Sequence, residues 1–118
     1  MSGKGRSERE VISDVIKTAT PETITTTDAD DKIIHTTSPQ KKFRVKLVYV
    51  WNTSGADITI TGFRFGSSSY HFASKIADKT GYLLNLVAVN WEGAKGENFV
   101  VKASATGLEV TVFGEEVS

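Results

Sequence analysis

The chain has 118 residues with 14 basic and 14 acidic side chains, a formal net charge of zero, and no cysteine. That length suits one domain with a modest core, and the missing cysteines exclude disulfides, cysteine-ligated metal and thiol catalysis. Balanced charge argues against nucleic acid as a partner, and no apolar stretch is long enough to span a bilayer. The charged N-terminus offers no signal core, so the expectation is a protein made in a reducing cytoplasm, with no membrane role and no signal-peptide export.

Residues 1–6 are small, polar and basic, and are expected to be disordered until something holds them. Ser7-Glu8-Arg9-Glu10 fits a capping box, and Val11, Ile12, Val15, Ile16 and Ala19 then recur at helical spacing. This predicts a helix from about Glu8 to Thr18, ending before Pro21. A helix so short is marginal alone in water, so its stripe must be covered. Two surfaces could cover it, the chain's own sheet or a neighbouring subunit. Residues 1–21 read as an arm with a short helix, and residues 22–118 as the main domain.

Glu22 to Pro39 is rich in threonine, which predicts a hairpin-like pair, Thr23–Thr27 and Lys32–Thr37, around Asp28-Ala29-Asp30-Asp31. Three carboxylates in four residues raise calcium as a possibility. The spacing is not that of an EF-hand loop, and acidic turns arise because Asp bonds its own backbone. Residues 41–52 form the clearest strand, with Phe43, Val45, Leu47, Tyr49 and Trp51 expected on one face. Arg44, Lys46, Val48 and Val50 share the other, which starts wet and ends apolar, as if the strand passed beneath another element. Lys41, Lys42, Arg44 and Lys46 form the basic cluster, which reads as a solvated strand end because no glycine-rich phosphate loop follows.

Asn52 to Ala56 is a turn, and Asn52-Thr53-Ser54 matches the glycosylation acceptor pattern. From Asp57 to Gly66, Ile58 and Ile60 keep one phase while Phe63 and Phe65 keep the other, which predicts a bulge at Thr61-Gly62. Tyr70–Ala73 reads as a short strand and Ser74–Thr80 as a polar connection. Residues 82–89 read as a buried strand; 98–104 and 108–112 alternate, with Phe99, Val101 and Ala103, then Leu108, Val110 and Val112, facing inward. About eight short strands, evenly spaced, predict an all-β fold: one antiparallel β-sandwich, jelly-roll-like.

No catalytic site is visible. His35 and His71 lie in no metal-ligand spacing, and no serine stands in a nucleophile-elbow motif. Glu92 and Glu97 bracket a glycine-bearing loop beside Trp91, which reads as a structural connection with Trp91 as a lid over one end of the core. Dinucleotide and phosphate-loop fingerprints are missing. The expectation is a protein that is not an enzyme and has no metal and no cofactor.

Gln40-Lys41-Lys42-Phe43-Arg44-Val45, Gly66, Gly81-Tyr82-Leu83-Leu84-Asn85-Leu86, Trp91-Glu92, Gly96-Glu97 and Val110-Thr111-Val112-Phe113 follow one another in an order that resembles the small β-sandwich domains of tailed-phage virion proteins. Such domains occur in capsid decoration proteins, head fibres and some tail components, and the resemblance covers roughly Thr23 to Val117. It implies a capsid decoration (cementing) protein on the virion exterior, a homo-oligomer with a trimer favoured, whose partner is the major capsid protein or another virion protein. The helix has no counterpart in that pattern and would be the anchor. Val11, Ile12, Val15, Ile16, Val48 and Val50 are the apolar groups with no evident place in one small core, and so the expected partner surface. Two other readings stand beside this one. One is a lectin-like module holding a sugar at Tyr70, His71, Trp91 and Glu92; the other is a tail or head–tail connector component.

Overall fold

The computed structural model describes residues 7–118; the expectation for residues 1–6 lies outside them. Helix α1 spans Glu8–Thr18, as the pattern predicts. The Ser7 hydroxyl accepts from the Glu10 amide at 3.2 Å while the Glu10 carboxylate faces the Ser7 amide, so two otherwise orphaned donors are satisfied. The helix stops at Ala19, which turns extended and leads directly into the first strand.

Eight strands follow: β1 (Thr20–Thr25), β2 (Lys32–His35), β3 (Lys42–Asn52), β4 (Ile58–Phe65), β5 (Ser74–Ile76), β6 (Gly81–Asn85), β7 (Phe99–Ala103) and β8 (Leu108–Val117). They make two four-stranded antiparallel sheets, in the orders β1-β8-β3-β6 and β2-β7-β4-β5. Only the β4–β5 connection stays within one sheet; every other connection crosses between them. That interleaving is the double-sheet jelly roll. The inner faces meet in one apolar core, with Val45, Val48 and Val110 from the first sheet against Ile60, Phe99 and Val101 from the second.

Two local predictions hold closely. The register of β4 shifts between Ile60 and Gly62, which returns Phe63 and Phe65 to the core. Gly62 is required there: its φ is +153°, and a Cβ would sit 2.7 Å from the Tyr70 Cβ and 2.8 Å from the His71 carbonyl. Strand β7 and the start of β8 turn the predicted apolar residues inward, and β8 runs on to Val117.

Four expectations are corrected. The threonine-rich segments do not form a hairpin: β1 pairs with β8 and β2 with β7, so the acidic turn carries the chain from one sheet to the other. The long strand does not keep one face either. Its pairing with β8 shifts between Val45 and Leu47, so a bulge reverses the alternation. Phe43 and Val45 point into the core, but Leu47, Tyr49 and Trp51 point outward and Val48 and Val50 replace them inside. Residues 82–89 are not a buried strand. Gly81–Asn85 forms the edge of the first sheet, Leu86 is buried beyond it, and the chain then turns through Asn90 at φ 60°. Last, Tyr70–Ala73 contributes only a single bridge from His71 to Phe63, with Phe72 at φ 63°, and the strand lies instead at Ser74–Ile76 (β5), inside the stretch expected to be a polar connection, where it pairs with β4.

A candidate assembly surface and the ties around it

The outer face of the first sheet carries side chains that the bulge in β3 sends outward. Tyr49 lies opposite both Leu83 of β6 and Thr111 of β8, and Leu47 lies opposite Phe113. Helix α1 lies over part of this face. Ile12 and Ile16 line an apolar groove of about 330 Å³ with Leu47, Tyr49, Leu83, Thr111 and Phe113. The Glu8 carboxylate accepts from the Asn85 side-chain amide at 3.2 Å, fixing the start of the helix to β6.

The apolar stripe of the helix is therefore divided. Val15 is buried, Val11 and Ile12 are half-buried, and Ile16 remains 53% exposed. Beside it Tyr49, Trp51 and Leu83 are exposed as well. The rings of Tyr49 and Trp51 rest on the bare backbone of Gly81, where any Cβ would collide with both. Val48 and Val50, expected at a partner surface, are each 1% exposed inside the core and reach no partner. Their outward neighbours Tyr49 and Trp51 hold the surface positions instead. The expectation failed because it read the alternation without the bulge.

The titratable groups near this face tie strands together. His35 of β2 reaches across to the first sheet, with Nδ1 2.6 Å from a Glu22 carboxylate oxygen on β1 and Nε2 2.8 Å from Glu116 on β8. Hydrogen bonds from Ser38 and His35 hold the Glu116 carboxyl below its ordinary pKa. The two carboxylates flank opposite sides of one ring, so they do not converge on a common point as metal ligands must. Among the described residues no group of three His, Asp or Glu is arranged to hold a metal ion. Arg44 of β3 donates from Nε to Glu92 at 3.0 Å and lies 3.5 Å from Glu115 of β8. Lys46 also lies 3.5 Å from Glu115, so the basic cluster is in part paired with acids on β8.

The acidic turn spreads its carboxylates outward to different partners. Asp28 pairs with Lys32 at 2.8 Å and accepts from the Asp30 amide, while Asp31 receives hydrogen bonds from Arg64 and Tyr70. The Arg64 guanidinium also stacks over the Tyr70 ring, 4.2 Å from its centroid.

The four residues of the sugar-binding alternative are not assembled into one open site. Tyr70 is committed to Asp31 and Glu92 to Arg44. Trp91 is half-buried and wedged edge-on against Phe65 at 5.2 Å and Phe99 at 5.5 Å, closing the core at that end. His71 does come beside it, with ring centroids 5.6 Å apart, and the exposed Phe72 packs there too at 5.4 Å. The glycosylation pattern is also accounted for. Asn52 is fully buried, its amide donates to the Ala56 and Ile76 carbonyls, and its oxygen accepts from Ser54.

The His35 tie carries no local motif: Glu116 lies 81 residues further along the chain, and Glu22, only 13 residues away, belongs to the other sheet. The outward aromatics escaped the sequence reading because the change from Arg44 and Lys46 to Val48 and Val50 along one face reads equally as a strand passing beneath another element and as a bulge. What the strand order defines is an eight-stranded jelly-roll sandwich. Comparison with protein-family models, with curated proteins and with solved structures finds no match for the chain. Among the described residues no helix is long and apolar enough to cross a membrane.

Proposed function

We propose that this chain is a non-enzymatic structural protein of a virion, a jelly-roll decoration protein that attaches to the major capsid lattice through α1 and the outer face of its first sheet. The observation that carries the reading is the contiguous apolar strip formed by Ile16, Tyr49, Trp51 and Leu83, exposed beside a helix that covers only part of the face. Isolated exposed apolar residues need no explanation, but a strip spanning a helix and two paired strands is the signature of a contact surface. The resemblance to tailed-phage sandwich domains supplies the kind of partner. The jelly roll is compatible with it, although fold alone does not choose among capsid, lectin and other uses. The reading also agrees with the titratable groups, whose hydrogen bonds run between strands. Many copies on a symmetric shell gain avidity even when each contact is weak.

The test is co-sedimentation of full-length protein with undecorated shells, comparing wild type with Ile16→Glu and Trp51→Lys, the lysine being chosen because position 51 lies opposite Glu109 of β8. Both positions are exposed, so each variant should keep its strand signal and melting temperature and lose attachment. Undiminished decoration by the variants would overturn this surface. Attachment to purified tails or connectors instead of shells would move the protein to another part of the virion, and selective binding on a sugar panel would favour the lectin-like reading.

A further inference from the structure

The edge strand β6 is built to pair with another strand. Of the four described edge strands, β1 contains Pro21 and Glu22, β2 contains Lys32 and His35, and β5 is three residues long and contains Lys75. Charges, prolines and short length are the devices that stop sheet edges from joining. Strand β6 reads Gly81-Tyr82-Leu83-Leu84-Asn85, with no charge and no proline, and its pairing with β3 has no register shift.

Its free hydrogen-bonding groups can be located. The Leu86 amide donates to the Lys46 carbonyl at 2.9 Å, and the Asn52 amide donates to the Thr80 carbonyl at 3.0 Å. In an antiparallel ladder the residues bonded to a neighbour alternate. Residues 82 and 84 therefore bond to β3, while Gly81, Leu83 and Asn85 direct their N–H and C=O groups away from the sheet. Tyr82 and Leu83, on opposite faces of this edge, are 44% and 40% exposed.

We propose that β6 pairs antiparallel with β6 of a second copy about a two-fold axis at Leu83, joining two four-stranded sheets into one of eight strands. With Leu83 opposite its own symmetry mate, Gly81 falls opposite Asn85 of the second copy, and all three outward-directed residues exchange backbone hydrogen bonds. Tyr82 then meets Leu84 of the second copy over the inner face. On the outer face the row Tyr49–Leu83 continues into its mate, so one apolar strip runs across both copies. An isologous contact requires a patch complementary to itself, and an uncharged strand meets its mate without like charges in opposition. The same operation on β5 would bring Lys75 against itself. A second copy is therefore the occupant, rather than a charged arm of another protein. This inference does not depend on the decoration reading, and a two-fold pair differs from the three-fold assembly that the resemblance implies.

Light scattering of the full-length chain should give twice the 12.8 kDa chain mass, and Leu83→Lys, which opposes two ammonium groups at the axis, should return it to the single-chain mass. Because the chain has no cysteine, Leu83→Cys gives an independent readout that tolerates failure of the lysine variant. The Cα atoms of such a hydrogen-bonded pair lie about 5.5 Å apart, within disulfide reach. Mild oxidation should therefore cross-link Leu83→Cys and leave Lys75→Cys on β5 uncross-linked. A monomer up to the solubility limit, a trimer, a dimer unaffected by Leu83→Lys, or equal cross-linking at both cysteine positions would each overturn the proposal.

Discussion

The imidazole of His35 lies flat on the phenyl ring of Phe43, with centroids 3.9 Å apart and planes 17° from parallel. The two residues belong to opposite sheets, so the stack closes the sandwich where β1 and β2 leave its edges open. Glu22 and Glu116 hold the ring from both sides. Replacing His35 with Ala removes the stack and leaves the two carboxylates facing a gap. The expected loss is about 1–3 kcal/mol of unfolding free energy, read as a lower urea midpoint with an unchanged slope. A midpoint equal to that of wild type would show that the stack adds nothing.

Asp31, Arg64 and Tyr70 make the fold sensitive to pH at both extremes. Partial desolvation of Asp31 pushes its pKa up, but the hydrogen bonds from Tyr70 and Arg64 outweigh it and the net shift is downward. A depressed carboxylate contributes stability that is present above its ordinary value, about 4, and is lost as pH falls through its folded value. Tyr70 is shifted upward, chiefly by donating to Asp31. Its contribution is complete below about 10 and is lost as pH rises through the folded value. Asp31→Asn should flatten both limbs of melting temperature against pH, and parallel profiles for the variant and wild type would refute the assignment.

Gly62 is the hinge of the β4 bulge. Gly62→Ala would drive a methyl group against Tyr70 and the His71 carbonyl, whose backbone exchanges two hydrogen bonds of 2.8 Å with Phe63. We expect a destabilisation of about 1–3 kcal/mol, with faster amide exchange at His71 than in wild type. Wild-type exchange in the variant would mean that the loop moves aside freely.

Asn52 caps the turn after β3 from inside the protein. Asn52→Ala leaves the Ala56 and Ile76 carbonyls without the donor they share, which should reduce stability by about 1–3 kcal/mol in thermal or urea unfolding. The same burial predicts that the Asn52-Thr53-Ser54 pattern stays unglycosylated when the folded protein is offered to an oligosaccharyltransferase. Modification of the native protein would show that the turn opens.

Features that depend on neighbours along the chain are legible in the residue pattern. Ser7 and Glu10 mark the start of α1, and the phase change around Gly62 locates a bulge because glycine there has no side chain to obstruct the approach of His71. The alternation of Phe99, Val101 and Ala103 gives β7 its inner face, and the spacing of short strands gives the all-β class.

Which strands meet is set by long-range pairing instead. The threonine-rich segments could pair with each other or with the centres of two sheets, and β8 and β7 captured them because central strands offer a full ladder on each side. The bulge between Val45 and Leu47 carries no glycine in its own strand and is set by the register with β8, where Gly114 lies opposite Val45 and a Cβ would meet Phe43 and the Arg44 carbonyl; it moves Tyr49 and Trp51 to the surface and Val48 and Val50 into the core. The edge position of β6 and the clasp of His35 by Glu22 and Glu116 likewise join residues far apart in the chain. Period-two alternation states that a strand has two faces; only pairing between distant strands determines which of them becomes the inside.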